Sequence, residues 1–378
     1  MVSRKQNDGI RKDMKEIVLT SPVIKDDYTA ICEKMFDLPI TNDSTVVIKN
    51  NIVLPEKWSI GILWGSSGSG KSSLLKQFGK IKEHTWDNTI SMISNFKDVT
   101  PQEASEVLCS VGFGTIPSWI RPYNVLSNGE KFRADLARSL ISKDEIILID
   151  EFTSVIDRNV AKSASNSVQK YVRKHNKKII LASCHSDIID WLNPDWSYNP
   201  IEGTTQYFTE RNIRRPNIEL KIFRTKYDAW DLFKHHHYLS AGLNKSAKCY
   251  MATWEGVPVA FTAILSFPHP IVKKAWRESR TVVLPDFQGL SIGVKLSDYI
   301  GSIFKANGCR FFSKTAHPAM INYRLRHTES WKQTTHSKKA RNDHPSMNSR
   351  GWLVSERFCY AFEYIGPSSS VEDSKLFN

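Results

Sequence analysis

The stretch that most constrains the fold is residues 65–72, Gly-Ser-Ser-Gly-Ser-Gly-Lys-Ser, which follow the apolar run 60–64. Every fixed position of the phosphate-loop pattern is filled, and a strand before with a helix after is the context that the pattern requires. Such a loop turns its backbone N–H groups toward an anionic oxygen. We predict that it binds a nucleoside triphosphate, with Lys71 on the β- and γ-phosphates and Ser72 on Mg²⁺. The residues predicted to bind are Gly65, Ser66, Ser67, Gly68, Ser69, Gly70, Lys71, Ser72 and Ser73.

Two later apolar runs predict parallel strands that end in polar residues. Residues 145–149 lead into Asp150 and Glu151, and residues 177–184 lead into His185. Ligands gather at the carboxyl ends of parallel strands. We therefore expect Asp150 to complete the Mg²⁺ shell, Glu151 to polarise the attacking water and His185 to reach the same edge of the sheet.

A third segment predicts a second anion site. Residues 126–130, Leu-Ser-Asn-Gly-Glu, form a turn that opens a helix with an apolar face. Ser127, the Gly129 backbone and the positive end of the helix suit a phosphate that arrives from outside the subunit.

Taken in order, these segments resemble the ABC-type ATPases. The turn 126–130 is similar to their signature LSGGQ, with Asn128 and Glu130 departing from it. Residues 146–151 match the Walker B strand, residues 154–157 resemble the D-loop, and His185 falls where the switch histidine stands. The resemblance implies a head-to-tail homodimer in which Ser127 and Gly129 of one subunit close on the ATP of the other.

Two departures from the family concern the segment between the phosphate loop and the signature. This segment is short, which predicts a reduced helical subdomain. No glutamine fits the Q-loop well: Gln77 comes early, Gln102 comes late, and Asn95 is a weak substitute. With no membrane segment in view, we expect no transporter subunit. The closer likeness is to soluble ABC ATPases that act on nucleic acid or are fused to other enzymes.

The second half predicts a different α/β fold. An alternating strand at 218–224, a hairpin over 247–264 and a strand at 278–285 precede a glycine-containing turn and a helix. This turn resembles the Q/R-x-x-G-x-G/A loop of the GNAT acyltransferases, with Ser291 where a glycine is usual. The resemblance implies acetyl-CoA or a related acyl-CoA, bound on the loop residues Gln288, Gly289, Leu290, Ser291, Ile292, Gly293 and Val294.

The second half also resembles the phage Mom-type DNA-modification enzymes, through His237-Tyr238 and residues 282–289. A GNAT reaction needs a base for the amine proton and often an acid for the thiolate. We assign His237 as the candidate base and Tyr323 or Tyr360 as the acid. Two other interpretations of residues 235–237 stay open: a metal site, and polar residues at the end of a helix.

Charge separates the two halves of the chain. The 378 residues carry a net charge of +13, and the part from Glu219 onward holds 23 Lys and Arg against 13 Asp and Glu. An anionic partner is therefore expected on the second half, either a nucleic-acid backbone or a phosphorylated cofactor. The scattered cysteines and the absence of a long apolar run predict a soluble, cytoplasmic protein without a membrane contact.

The predicted fold class is an α/β P-loop ATPase domain followed by a GNAT-like α+β domain. We place an N-terminal extension packed on the ATPase at 1–44, the ATPase at 45–205, a linker at 206–217, the GNAT-like domain at 218–366 and a disordered tail at 367–378. The preferred hypothesis is ATP-driven dimer closure coupled to acyl transfer on nucleic acid. The alternatives are a catalytically inactive GNAT-like module that binds nucleic acid or protein, and an acetyltransferase for proteins or small amines.

Overall fold

The protein is described by a computed structural model that covers residues 16–37, 41–208, 218–237, 242–268, 271–334, 339–341 and 357–377. Its packing divides the chain into two compact units that do not follow chain order. Unit 1 comprises residues 1–83, 142–154 and 172–213, and unit 2 comprises residues 84–141, 155–171 and 214–378.

The strands and helices have the following bounds. In chain order the strands are β1 (Glu16–Pro22), β2 (Asp43–Lys49), β3 (Ile60–Trp64), β4 (Ile146–Ile149), β5 (Lys178–Ser183), β6 (Trp196–Asn199), β7 (Thr204–Tyr207), β8 (Leu220–Thr225), β9 (Lys248–Trp254), β10 (Val257–Ser266), β11 (Ala275–Val283), β12 (Arg310–Thr315), β13 (Trp331–Gln333), β14 (Lys339–Arg341) and β15 (Arg357–Tyr364). The helices are α1 (Asp27–Phe36), α2 (Lys71–Leu75), α3 (Pro101–Ser110), α4 (Ile116–Trp119), α5 (Asn128–Leu140), α6 (Arg158–Lys174), α7 (Ile188–Leu192), α8 (Ile292–Ala306), α9 (Pro318–Arg326) and α10 (Val371–Ser374).

Unit 1 is built on a five-stranded sheet in the order β4-β5-β3-β6-β7. The first four strands are parallel, and β7 pairs antiparallel with β6. Continuous burial along β3 and β5 agrees with a central parallel sheet that is covered on both faces. At Gly61 a Cβ would lie 2.2 Å from the Trp196 ring, so only glycine lets that ring cover the strand. The parallel strands predicted around the phosphate loop are thus present.

The N-terminal region contributes a two-stranded sheet to unit 1. Strand β2 pairs with β1, and residues 51–54 after β2 are irregular. The carbonyls of Asn51 and Val53 accept hydrogen bonds from the side chains of Thr205 and Tyr207 instead of joining a ladder. Helix α1 forms with a capping box at Asp26, and none of its residues 27–36 is buried. The contact of the 1–44 extension with the ATPase core is made instead by Ile17 of β1, which belongs to the cluster of Leu63 and Leu74.

Unit 2 contains an eight-stranded sheet in the order β13-β15-β12-β11-β10-β9-β8, with β14 also pairing with β15. The predicted hairpin is confirmed as β9 and β10, joined at Glu255-Gly256. Strands β11 and β12 are parallel, and their ladder ends at the pair Glu278–Ser313 although both strands continue to Val283 and Thr315. We call the gap between these continuing ends the wedge.

Hydrophobic clusters cover both faces of the sheet in unit 2. Helix α8 packs into one cluster with Tyr250 and Ala252 of β9, and the other cluster contains Cys249 with Phe261. Because alternate residues of a strand point to opposite faces, the two clusters lie on opposite sides of the sheet. The second cluster is closed by 3₁₀ turns at Tyr227–Leu232 and Lys234–His236, where the sequence had predicted a helix.

The segment after Gly366 is ordered, whereas we expected a disordered tail. Ser370 caps α10 by accepting from the backbone N–H of Asp373, and Tyr299 donates to the Asp373 carboxylate at 2.8 Å. The apolar end of the chain packs on the α8 cluster, where the Phe377 ring lies 5.0 Å from that of Phe304. We expected disorder because the segment is polar. Apolar contact at its end offsets the entropy that the chain loses when the segment becomes ordered.

Candidate functional site

The predicted nucleotide site lies at one edge of the sheet in unit 1. Strands β4, β5 and β3 are adjacent, and Ile149, Leu181 and Trp64 lie near their carboxyl ends in a common register. Asp150-Glu151, His185 and the phosphate loop directly follow these three strands. The strand order therefore brings to one edge of the sheet residues that are spread over more than a hundred positions of the sequence.

Glycine conformations shape the phosphate loop. Gly68 and Gly70 have φ of +77° and +90°, which an L side chain rarely adopts. At Gly70 a Cβ would also lie 2.6 Å from Ile48, so the loop rests directly on β2. The Lys71 amine donates to the carbonyls of Gly65 and Ser66 at 2.9 and 2.7 Å. This ammonium group lies inside the loop and carries the positive charge that a phosphate would need.

The donors next to the loop fit a magnesium ion that is completed by phosphate. Ser72 offers a hydroxyl and Asp150 a carboxylate, and hard oxygens are the ligands that Mg²⁺ prefers. Within the described residues no group of three or more His, Cys, Asp or Glu is arranged to hold a metal. This fits Mg²⁺, which keeps waters and substrate oxygens among its ligands rather than a full protein cage. It gives no support to the alternative of a metal at residues 235–237.

Local hydrogen bonds hold the backbone at His185 and at Glu151 in defined turns. The His185 N–H donates to the Ser183 hydroxyl at 3.1 Å, which fixes the turn after β5, and the Cys184 sulfur lies 3.5 Å from His185 Nδ1. Glu151 has a φ of +50°, and its N–H donates to the Asp150 carboxylate at 2.9 Å. Glu151 remains exposed, so its carboxylate can reach a water molecule outside the sheet edge.

The signature turn belongs to unit 2. Ser127 caps α5, accepting from the Glu130 N–H, while the Glu130 carboxylate accepts from the Ser127 N–H. The same carboxylate accepts from the Ser118 hydroxyl at 2.6 Å. Glu130, one of the two departures from LSGGQ, thus completes a capping box, a role that glutamine also fills. Ser127 and Asn128 are exposed.

Structural roles account for two of the three Q-loop candidates. Asn95 is buried, and its amide group makes hydrogen bonds with the backbone of Asp87 and Ser91. All three lie in the segment between the phosphate loop and the signature turn, which we call the insert. Gln102 lies on α3 and donates to Glu106. Gln77 is exposed in the 3₁₀ turn after α2. The prediction that the chain has no ordinary Q-loop glutamine is consistent with these positions.

The predicted coenzyme loop follows β11 and opens α8. Ser291 occupies the N-cap position of α8 without a side-chain capping hydrogen bond. Its φ of +65° is a conformation in which glycine would be relaxed. The Gln288 side chain is fully engaged: its oxygen accepts from the Gly114 N–H at 2.6 Å, and its nitrogen donates to the Thr115 hydroxyl and the Val283 carbonyl at 2.9 Å. Gly114 and Thr115 lie between the phosphate loop and the signature turn of the ATPase sequence, within the same unit, whereas Val283 is the last residue of β11.

A buried ion pair fills the apex of the wedge. Glu278 lies 2.7 Å from Arg324, and their side chains are 6% and 1% exposed. Ser313 donates to Glu278 and accepts from Arg324, both at 2.6 Å. Burial alone would raise the pKa of Glu278, but Arg324 and the hydrogen bonds from Ser313 and Thr281 outweigh it and hold the pKa below its usual value.

The candidate base and acid of acyl transfer lie on opposite faces of the sheet. His237 is buried against Trp230, with ring centroids 5.8 Å apart, in the Phe261 cluster. Tyr323 packs on the α8 cluster, and its hydroxyl donates to Asp298 at 2.5 Å. Burial and that carboxylate raise the pKa of Tyr323. The structure therefore does not bring these two groups into one site. Tyr360 also packs on the α8 cluster.

Sequence reasoning did not predict the buried structural roles of three charged residues in unit 2: Arg133, Glu278 and Arg324. Arg133 is 1% exposed, and burial lowers its pKa to about 10. One signal was available for Arg133, because it stands three and seven residues before Leu136 and Leu140 and so shares their apolar helix face. Glu278 and Arg324 carried no comparable signal, since they meet across 46 residues.

Comparison with known proteins gives matches to both parts of the chain. The lipoprotein-releasing system ATP-binding protein LolD of Rickettsia conorii is 30% identical over 176 residues, which covers 35% of this chain and 77% of LolD. The LolD protein of Ehrlichia chaffeensis is 28% identical over 188 residues, covering 38% and 79%. Residues 187–325 match the Acetyltransferase (GNAT) family.

Among solved structures, the dimeric post-hydrolysis ATP-binding cassette MJ0796 with ADP and Pi aligns with 44% of this chain and 93% of its own length, at 15% identity and a TM-score of 0.36. The ribosomal-protein-S18-alanine N-acetyltransferase of Escherichia coli aligns with 40% and 98%, at 12% identity and a TM-score of 0.30. No helix among the described residues is long and apolar enough to span a bilayer. Both predicted resemblances and the predicted α/β fold class are confirmed by the sequence matches.

Proposed function

The chain belongs to the ABC-type ATPases and carries a GNAT-family region, and from this we propose that it hydrolyses ATP between two head-to-tail subunits. The observation that carries the proposal is the strand order β4-β5-β3, which supports a common site for Glu151, His185 and the phosphate loop. ATP would lie on this loop with its terminal phosphate at the strand ends.

Each residue at this edge has a separate role in the proposal. Lys71 and the loop N–H groups bind the β- and γ-phosphates, and Ser72 with Asp150 holds Mg²⁺, which neutralises charge on the phosphate oxygens. Glu151 orients and polarises the attacking water. His185 contacts the terminal phosphate from the neighbouring strand. Ser127 and Gly129 of the second subunit close the site, because Ser127 is exposed and the positive end of α5 favours an anion.

The test is the variant Glu151→Gln, which keeps the shape of the side chain and removes its charge. We expect ATP turnover to fall by about 100-fold or more, the scale of a lost general base, while ATP binding persists and a dimer accumulates. Sedimentation velocity with ATP and with ADP measures the dimer. Unchanged turnover would overturn the assignment of Glu151, and a turnover per molecule that is independent of dilution would overturn the dimer.

For the GNAT-family region we propose acyl transfer from acetyl-CoA to an acceptor on nucleic acid. The excess of Lys and Arg from Glu219 onward supports an anionic partner, and phosphate contacts dominate the affinity of nucleic-acid binders. Mass spectrometry of nucleosides from cells that express the protein, with Glu151→Gln as the control, tests this. A modified nucleoside that depends on the intact ATPase would support the proposal, and unmodified nucleosides would contradict it.

A second candidate function is a binding module without acyl transfer, and the wedge favours it. The Glu278–Arg324 pair occupies the apex between β11 and β12, and Gln288 is committed to the insert. Calorimetric titration with acetyl-CoA separates the candidates, because an inactive module should show no binding. Acetylation of a protein or small amine is distinguished by activity that does not respond to added nucleic acid.

A further inference from the structure

Residues Pro285–Gly289, which we call the docking segment, lead into the coenzyme loop and include its first two residues. They lie against elements of the ATPase sequence within unit 2. The buried Arg133 guanidinium of α5 donates to the Pro285 carbonyl at 2.5 Å and to the Asp286 carbonyl at 3.4 Å. From α6, the Ser163 hydroxyl donates to the Gln288 carbonyl. The segment is therefore held at its backbone by two different helices.

The contact requires glycine at two positions. At Gly112 a Cβ would lie 2.9 Å from the Gln288 carbonyl oxygen, and at Gly289 a Cβ would lie 2.7 Å from the Ser167 hydroxyl. Both glycines have positive φ. The docking segment therefore lies in close backbone contact with residue 112, which a side chain at either glycine would disturb.

The docking segment places a carboxylate beside the signature turn. Asp286 Oδ1 lies 3.8 Å from the position of a Cβ at Gly129, and Asp286 is exposed. Partial burial raises the pKa of Asp286, and the nearby carboxylates of Asp157 and Glu130 raise it further, whereas Arg133 and His236 oppose this. An anion that approaches the turn from solvent therefore meets negative charge.

We propose that the docking segment restrains the ATPase: while it is docked, Asp286 occupies the approach to the signature turn, and the segment must withdraw before the partner's ATP can be enclosed. This inference rests on the proposed head-to-tail dimer. Since Asp286 and Gln288 are two residues apart, withdrawal of one pulls the other from its partners, Gly114 and Thr115. Coupling between sites is reciprocal, so enclosure of ATP and docking of the segment oppose each other.

The test compares dimer affinities in the ATP-trapping background Glu151→Gln. Adding Asp286→Asn keeps the side-chain shape and removes the charge, and we expect the dimer dissociation constant with ATP to fall about tenfold, because like charges at an interface weaken it. The matched control is Glu372→Gln, which removes one exposed charge on α10 and should leave the constant unchanged. Ser163→Ala removes the hydrogen bond to Gln288 without any change of charge and should tighten the dimer by a smaller factor.

Hydrogen–deuterium exchange of the full chain measures the withdrawal of the docking segment directly. With ATP, the Glu151→Gln dimer should show faster exchange at residues 285–289 and at 112–115 than the same protein with ADP. A dimer whose affinity is unaffected by Asp286→Asn, or whose segment 285–289 becomes better protected with ATP, would overturn the inference and leave the proposed function standing. Failure of Glu151→Gln to dimerise with ATP would overturn both.

Discussion

Glu278 and Arg324 lie 2.7 Å apart at the end of the β11–β12 ladder and are the most deeply buried ion pair among the described residues. Ser313 bridges both partners, and Ser297 accepts a further hydrogen bond from Arg324 at 2.8 Å. Each charge is thus satisfied by the other and by hydroxyls. Burying such a pair is costly, and removing one partner leaves the other charge without compensation.

We therefore expect Glu278→Gln to lower the free energy of unfolding by about 3 kcal/mol or more, because Arg324 is left buried and uncompensated. Replacing both residues, Glu278→Gln with Arg324→Met, should cost less than the sum of the single changes. Urea unfolding of the four proteins measures the coupling. Additive losses would show that the two side chains act independently.

Stability should also depend on pH through this carboxylate. The pKa of Glu278 in the folded protein is below its usual value of 4.5, so the ionised form stabilises the fold above that value. This contribution is lost as the pH falls from 4.5 through the folded pKa. The difference in unfolding free energy between the natural protein and Glu278→Gln should therefore shrink as the pH is lowered below 4.5. A difference that grows on acidification would contradict the lowered pKa.

The phosphate loop offers a pair of glycines that separates backbone strain from steric contact. Gly68→Ala adds a methyl group where nothing lies within 4 Å, so it should cost about 1 kcal/mol for its left-handed backbone alone. Gly70→Ala meets the same strain and also contacts Ile48 at 2.6 Å, which should add about 1–3 kcal/mol of overpacking. Urea unfolding measures both losses. Equal losses would indicate that β2 yields to the added methyl group without cost.

The capping box at the signature turn predicts which substitutions of Glu130 are tolerated. Glu130→Gln keeps the N3 acceptor and should change stability by less than about 0.5 kcal/mol, whereas Glu130→Ala removes it and should cost about 1 kcal/mol. Thermal unfolding of the two variants measures the difference. A glutamine variant as unstable as the alanine variant would show that the charge, rather than the cap, matters at this position.

The prediction of the nucleotide site rests on local patterns. The phosphate loop, the strand ends at Asp150 and His185, and the Ser127 cap each follow from fewer than ten consecutive residues. Local patterns could not show whether the candidate base and acid of acyl transfer lie together. His237 and Tyr323 are compatible in chemistry, but the face of a sheet on which each one lies depends on long-range packing. Long-range pairing also decides that β2 joins β1, which lies more than twenty residues earlier in the chain.

The division of the chain into two discontinuous units has a consequence for the design of shorter fragments. The polypeptide passes from one unit to the other after residues 83, 141, 154, 171 and 213, so neither unit is a continuous stretch of the gene. A fragment that begins at residue 218 would lack α5 and α6, and with them the partners of Pro285 and Gln288. The two halves of the chain are therefore not the two compact units. A protein made from either half alone would lack part of the interior of the unit that it was meant to form.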